Sequence, residues 1–77
     1  MTNYEVKITA RTAEETKANF VEMTTRVFTP SPASILREYN MTEDDCYRNY
    51  RSRREKHYRR RASQQTMLFI RIRPSKP

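Results

Sequence analysis

Residues 47–61, YRNYRSRREKHYRRR, place eight basic side chains and one acid within fifteen positions. Whatever this segment folds into must keep those cations in water or against an anion, because an unpaired buried charge is prohibitive. Its formal charge of +7 equals that of the whole chain, and the rest is balanced, eight basic groups against eight acidic. Charge gathered so tightly points to an anionic partner more than to general solubility.

The chain is short for the task of burying anything. Seventy-seven residues, 35% of them apolar, make a single small domain spanning 1–77 with few core contacts. Cys46 and His57 are each the only residue of their kind, which excludes an internal disulfide and a Cys/His zinc site. No cofactor or metal is expected, and a reducing cytoplasmic setting follows by default, nucleoid-associated or in a host cytoplasm if phage-encoded. No apolar run is long enough to span a membrane, and MTNYEVKITA alternates instead of forming a signal-peptide core. Glycine is absent, so no glycine-rich phosphate loop exists. Without a nucleophile beside a base, no catalytic residue is assigned and an enzyme is not expected.

Hydrophobic periodicity gives the expected elements. Tyr4, Val6, Ile8 and Ala10 alternate with Glu5, Lys7, Thr9 and Arg11, a strand over 3–11. Thr12 and Glu15 form a T-x-x-E capping pattern that opens a helix over 13–25, although TTRVF could itself be a short strand. Pro30 ends that segment. Ser31 followed by Pro32 starts a short helix at 32–39, and Asn40 suits a left-handed turn. Thr42 caps a long basic helix over 43–62, with Glu43, Asp44 and Asp45 in its first turn. TMLFIRIRP gives a strand at 66–73. The expected fold is α+β, ordered β-α-α-α-β, with the two terminal strands paired and the helices packed on one face.

On the expected long helix, Cys46, Tyr47, Tyr50, His57 and Tyr58 fall within about a third of the circumference. Arg54 and Arg61 share that arc with their stems on apolar surface; Arg48, Arg51, Arg53, Lys56, Arg59 and Arg60 occupy the remainder. Tyr47, Tyr50 and Tyr58 either pack with a wet hydroxyl or stack on bases. Cys46 reads as a small hydrophobe, and His57 as a histidine with no carboxylate partner in the local sequence. The run RRRAS around Ser63 looks like a basophilic kinase site, but a helix-ending serine reads better.

The run ILREYNMTEDDCYRNYR, residues 35–51, resembles the helix-turn-helix segment of phage and bacterial DNA-binding proteins. Ile35 and Leu36 take apolar places in the first helix, Asn40 the turn, Met41 and Thr42 the entry to the second, and Cys46 and Tyr50 its buried side. The resemblance implies a DNA-binding regulator or accessory factor, and a homodimer is compatible with it. Arg48 and Arg51 would then meet bases, while Arg53, Arg54, Lys56, Arg59, Arg60 and Arg61 would meet phosphates. Glu43 and Asp44 sit where phosphates should be.

That acidic turn keeps two other readings open, RNA binding by an arginine-rich helix and a linker protein docking its basic helix on an acidic protein. Phycobilisome linkers are similar in strand-and-helix balance, without matching in their glycine-rich ending. For a dimer, the outer side of the last strand, Met67 and Phe69, is one contact surface, although covering the helices suits those residues better.

Overall fold

The alternation of residues 4–13 and 66–74 builds two neighbouring strands at the centre of one sheet. The computed structural model describes residues 2–14 and 20–75. Its elements are β1 (Tyr4–Ala13), β2 (Phe20–Thr29), α1 (Pro32–Glu38), β3 (Cys46–Tyr50), β4 (Glu55–Arg61) and β5 (Thr66–Pro74), with 3-10 turns at Glu43–Asp45 and Arg51–Arg53. The five strands lie in the order β2-β1-β5-β4-β3, every neighbouring pair antiparallel.

This overturns the expected β-α-α-α-β arrangement of helices on a two-stranded sheet. The helix expected over 13–25 is β2 from Phe20 onward, and residues 15–19 of it lie outside the described residues. Val21, Thr24, Thr25, Val27 and Thr29 are β-branched and stiff at χ1, and Phe20 and Phe28 add aromatic preference for a pleated surface. The same segment alternates cleanly, Val21, Met23, Thr25 and Val27 against Glu22, Thr24 and Arg26. Helical spacing was the weaker of two periods present.

The long basic helix over 43–62 is also absent. Thr42 does cap a turn: its Oγ1 accepts from the Asp44 N–H at 3.3 Å, and Asp45 Oδ2 accepts from the Thr42 N–H at 2.9 Å. The turn stops after Asp45, however, and β3 and β4 form a hairpin. A 3-10 turn at Arg51–Arg53 closes it, with Arg54 at φ 54°. A glycine would take that left-handed position at no cost, and its absence hid the turn. The helix-turn-helix segment at 35–51 is thus one helix, a turn and a strand, with no second helix to enter a groove.

Pairing puts directly opposed residues on the same face. One face carries Val6, Ile8, Tyr58, Ile70 and Ile72, covered at one end by Leu36 of α1 and by Met41, and these seven are the buried core. Ser31 precedes α1 without a side-chain capping bond. Asn40, at φ 58°, makes the left-handed turn after it. At the helix C-terminus, Arg60 donates from Nε and Nη2 to the Tyr39 carbonyl at 3.1 and 2.9 Å. A cation on the last carbonyls suits the negative end of the helix. No helix among the described residues is long and apolar enough to cross a membrane.

Candidate functional site

Among the described residues α1 covers one side of the sheet and no element covers the other, so that face is open and its chemistry follows from strand parity. From β4 it receives Glu55, His57, Arg59 and Arg61; from β5, Met67, Phe69, Arg71 and Arg73; from β1, Glu5, Lys7, Thr9 and Arg11. Phe20, Glu22, Thr24, Arg26 and Phe28 extend it on β2. On β3, a register shift between Cys46 and Arg48 lets both Tyr47 and Arg48 reach this side, as a bulge does by adding one residue to a strand.

The densest part of the face lies over β3 and β4. The Tyr47 ring has the Arg59 guanidinium 4.5 Å from its centroid and that of Arg48 at 5.6 Å. Tyr50 carries Arg53 at 4.4 Å. Between the two tyrosines stands His57, edge-on to Tyr50 at 5.5 Å and to Tyr47 at 6.1 Å. His57 Nε2 meets Glu55 Oε2 at 2.6 Å, a carboxylate partner that a helical reading places on another side and a strand brings to the same one. Among the described residues, Arg48 and Arg59 have no carboxylate within ion-pair distance.

Elsewhere on the face, Glu5 accepts from Arg73 Nε at 2.6 Å and Arg71 Nη2 at 3.3 Å, and Arg26 Nε stands 3.7 Å away. One carboxylate among three guanidiniums leaves the cluster positive. Arg11 pairs with Glu22 at 2.9 Å and lies 4.7 Å over the Phe20 ring. Lys7, Arg11, Arg26, Arg71 and Arg73 were not singled out from sequence. The signal is present as alternation, but only the pairing of distant strands puts them on the same face as Arg59.

The structure divides the sequence-assigned residues. Arg48, Arg53, Arg59 and Arg61 accompany Tyr47 and Tyr50 on or beside the open face, with Arg61 Nη1 donating to the Gln64 carbonyl at 3.0 Å. Arg60 faces the helix and caps it. Tyr58 is 1% exposed and packs in the core, so it offers no ring to a ligand. Arg51, Arg54 and Lys56 rim a groove of about 450 Å³ on the helix side, floored by Tyr4, Leu36 and Ile72. Lys56 reaches Glu43 at 3.3 Å there. Cys46 is partly buried against the core and its Sγ donates to the Arg48 carbonyl. Ser63 accepts through Oγ from the Gln65 and Thr66 N–H groups in the β4–β5 turn, which is its role in place of ending a helix. Met67 and Phe69 belong to an interior strand and lie away from the helix. No group of three or more metal-ligating side chains occurs among the described residues.

Three carboxylates are held below the ordinary glutamate range. Glu5 is lowered by its hydrogen bond with Arg73, Glu43 by that with the Tyr58 hydroxyl (2.7 Å), and Glu55 by that with His57. Burial and Glu43 in turn push the Tyr58 phenol up. A carboxylate whose folded pKa lies below its unfolded value stabilises the fold above the unfolded value. That contribution is lost as pH falls through the lowered one. The urea midpoint should therefore hold steady with respect to these groups down to about pH 5 and decline below about pH 4. Glu5→Gln and Glu55→Gln, measured by the same titration, should each flatten the decline.

Comparison with known proteins finds no matching family model, curated protein or solved structure.

Proposed function

We propose that the chain binds single-stranded nucleic acid on the open face of its sheet. The observation that carries this reading is the guanidinium–tyrosine array over β3 and β4. The Tyr47 ring carries the guanidiniums of Arg48 and Arg59, and the Tyr50 ring that of Arg53, beside a field of further arginines. A base has a π-face that stacks on tyrosine or on the plane of a guanidinium, and its phosphate takes the charge. The face is also a sheet surface on the side away from α1, and among the described residues no second helix follows α1 to lie in a major groove, whereas unpaired bases stack on the exposed face of a sheet.

Fluorescence anisotropy with a labelled single strand of about 12 nucleotides, within the site sizes of such platforms, tests this. Tyr47→Ala and Tyr50→Ala should each weaken binding about tenfold, since stacking contributes about 1–3 kcal/mol per base. Arg51→Glu with Arg54→Glu, on the helix side, should weaken it far less. Absence of binding at about 50 mM salt, where phosphate contacts act strongly, would overturn the reading. So would binding that depends on Arg51 and Arg54 and ignores the tyrosines.

The acidic-protein reading has one specific observation in its favour. The groove rimmed by Arg51, Arg54 and Lys56 over an apolar floor has the form that takes an acidic segment with an apolar side chain. This reading predicts no oligonucleotide binding in the anisotropy test, and binding of a labelled acidic peptide that Arg51→Glu with Arg54→Glu abolishes.

A further inference from the structure

The two edges of the sheet are built differently. β3 has five residues, a register shift and 3-10 turns at both ends, devices that discourage pairing with another chain. β2 has none of them. Its ten residues pair with β1 in unbroken register, it contains no proline or lysine, and its outer edge has no neighbour among the described strands.

β2 also carries four of the five large hydrophobic side chains most exposed among the described residues. Phe20 is 59% exposed, Val21 47%, Met23 73% and Phe28 60%. A long, regularly paired edge with this much exposed apolar surface is a template for another strand. Its own sequence says which strand. Antiparallel pairing of FVEMTTRVFT with itself keeps the two faces continuous only if opposed positions share parity. With the two-fold axis at Thr24, Glu22 stands opposite Arg26 of the second copy, and Arg26 opposite the second copy's Glu22. Phe20 then faces Phe28, and Val21 faces Val27. Moving the axis to Thr25 sets Glu22 against Phe28, and moving it to Met23 sets Phe20 against Arg26. One register alone matches charge with charge and apolar with apolar. Glu22 and Arg26 each have about half of the side chain exposed beyond their present partners Arg11 and Glu5, so each has a side free for the new one.

We propose that two copies of this chain associate through β2, antiparallel about a two-fold axis at Thr24, into one continuous ten-stranded sheet. The corner of the core face that α1 does not reach, with Val21 and Met23, is then set against its counterpart. The open face becomes continuous across both copies. The inference rests on the edge and does not depend on what the open face binds.

Sedimentation and light scattering of nucleic-acid-free protein test it through a charge exchange. The wild-type chain should be a dimer. Glu22→Arg and Arg26→Glu each set like charges opposite one another twice across the axis, and each variant alone should raise the dissociation constant about tenfold or more. Mixed together, the two variants restore opposite charges at both places, so the mixture should form a heterodimer that neither makes alone. Far-UV circular dichroism of each variant reports that the fold is intact. Register is read independently by oxidation in a Cys46→Ser background, where Thr24→Cys should cross-link between copies and Thr25→Cys should not. A wild-type chain that stays monomeric from micromolar to millimolar concentration overturns the proposal. So does a dimer unmoved by either substitution, or one in which Thr25→Cys cross-links as fast as Thr24→Cys.

Discussion

Replacing Tyr58 by alanine should lower the urea midpoint by more than about 1 M and leave much of the chain unfolded without denaturant. Tyr58 is 1% exposed and sits at the middle of a seven-residue core, opposite Cys46 on one side and Ile70 on the other. Removing a buried aromatic ring costs about 3–5 kcal/mol, through lost transfer energy and the cavity left behind. A domain of this length has in all about 4–12 kcal/mol of stability to lose, so one ring is a large share of it. The hydroxyl matters less. It donates to Glu43 at 2.7 Å, but the Glu43 side chain is 69% exposed and water can replace the bond. Tyr58→Phe should therefore cost only about 1.5 kcal/mol, the low end for a bond to a charged group. Equal losses from the two substitutions would mean that the hydroxyl, and not packing, holds β4 to the core.

Raising salt from 50 to 200 mM should weaken the proposed oligonucleotide binding about 100-fold. The figure follows from about five phosphate contacts and a slope near −0.7 per contact for single strands. On the proposed binding face Arg48, Arg53, Arg59 and Arg61 supply four of these contacts in place of the base contact the helical reading gives Arg48, with Lys7 or Arg26 as the fifth. Arg59→Ala should reduce the logarithmic slope by about 0.7 and also remove the guanidinium stacked 4.5 Å over Tyr47. Tyr47→Ala should lower affinity at every salt concentration with the slope unchanged, because stacking releases no counterions. Arg60→Ala should leave the slope alone, since Arg60 is engaged with the end of α1. Tight binding with a slope near zero, or a slope indifferent to Arg59, would remove phosphate contact from the mechanism.

The basic segment carries two competing periods. Within YRNYRSRREKHYRRR, Tyr47, Tyr50, His57 and Tyr58 fall within one helical arc, and Thr42 with Asp45 supplies a real cap. The strand alternation is there too, Lys56, Tyr58 and Arg60 against His57, Arg59 and Arg61. It is masked because nearly every position is polar, so neither period has apolar contrast to declare itself. The turn that folds the segment back uses Arg54 in a left-handed conformation, for which arginine gives no warning. β2 was legible in part: its TTRVF tail reads as a strand by propensity alone, and the T-x-x-E pattern before it outweighed that.

The sequence by itself determined the location of the charge, the absence of a zinc or disulfide framework, and strong alternation at 3–11 and 66–73, where β1 and β5 lie. Those are local properties, written in composition and in a two-residue period with apolar contrast. Only tertiary pairing decided that residues 46–61 are a hairpin and that five strands form one sheet. It also decided that Arg59 and Arg71 share a face while Arg60 serves the helix. Backbone hydrogen bonds between strands join residues far apart in the chain. A strongly basic segment with no hydrophobic pattern of its own takes its secondary structure from the neighbour it pairs with, and here that neighbour is β5.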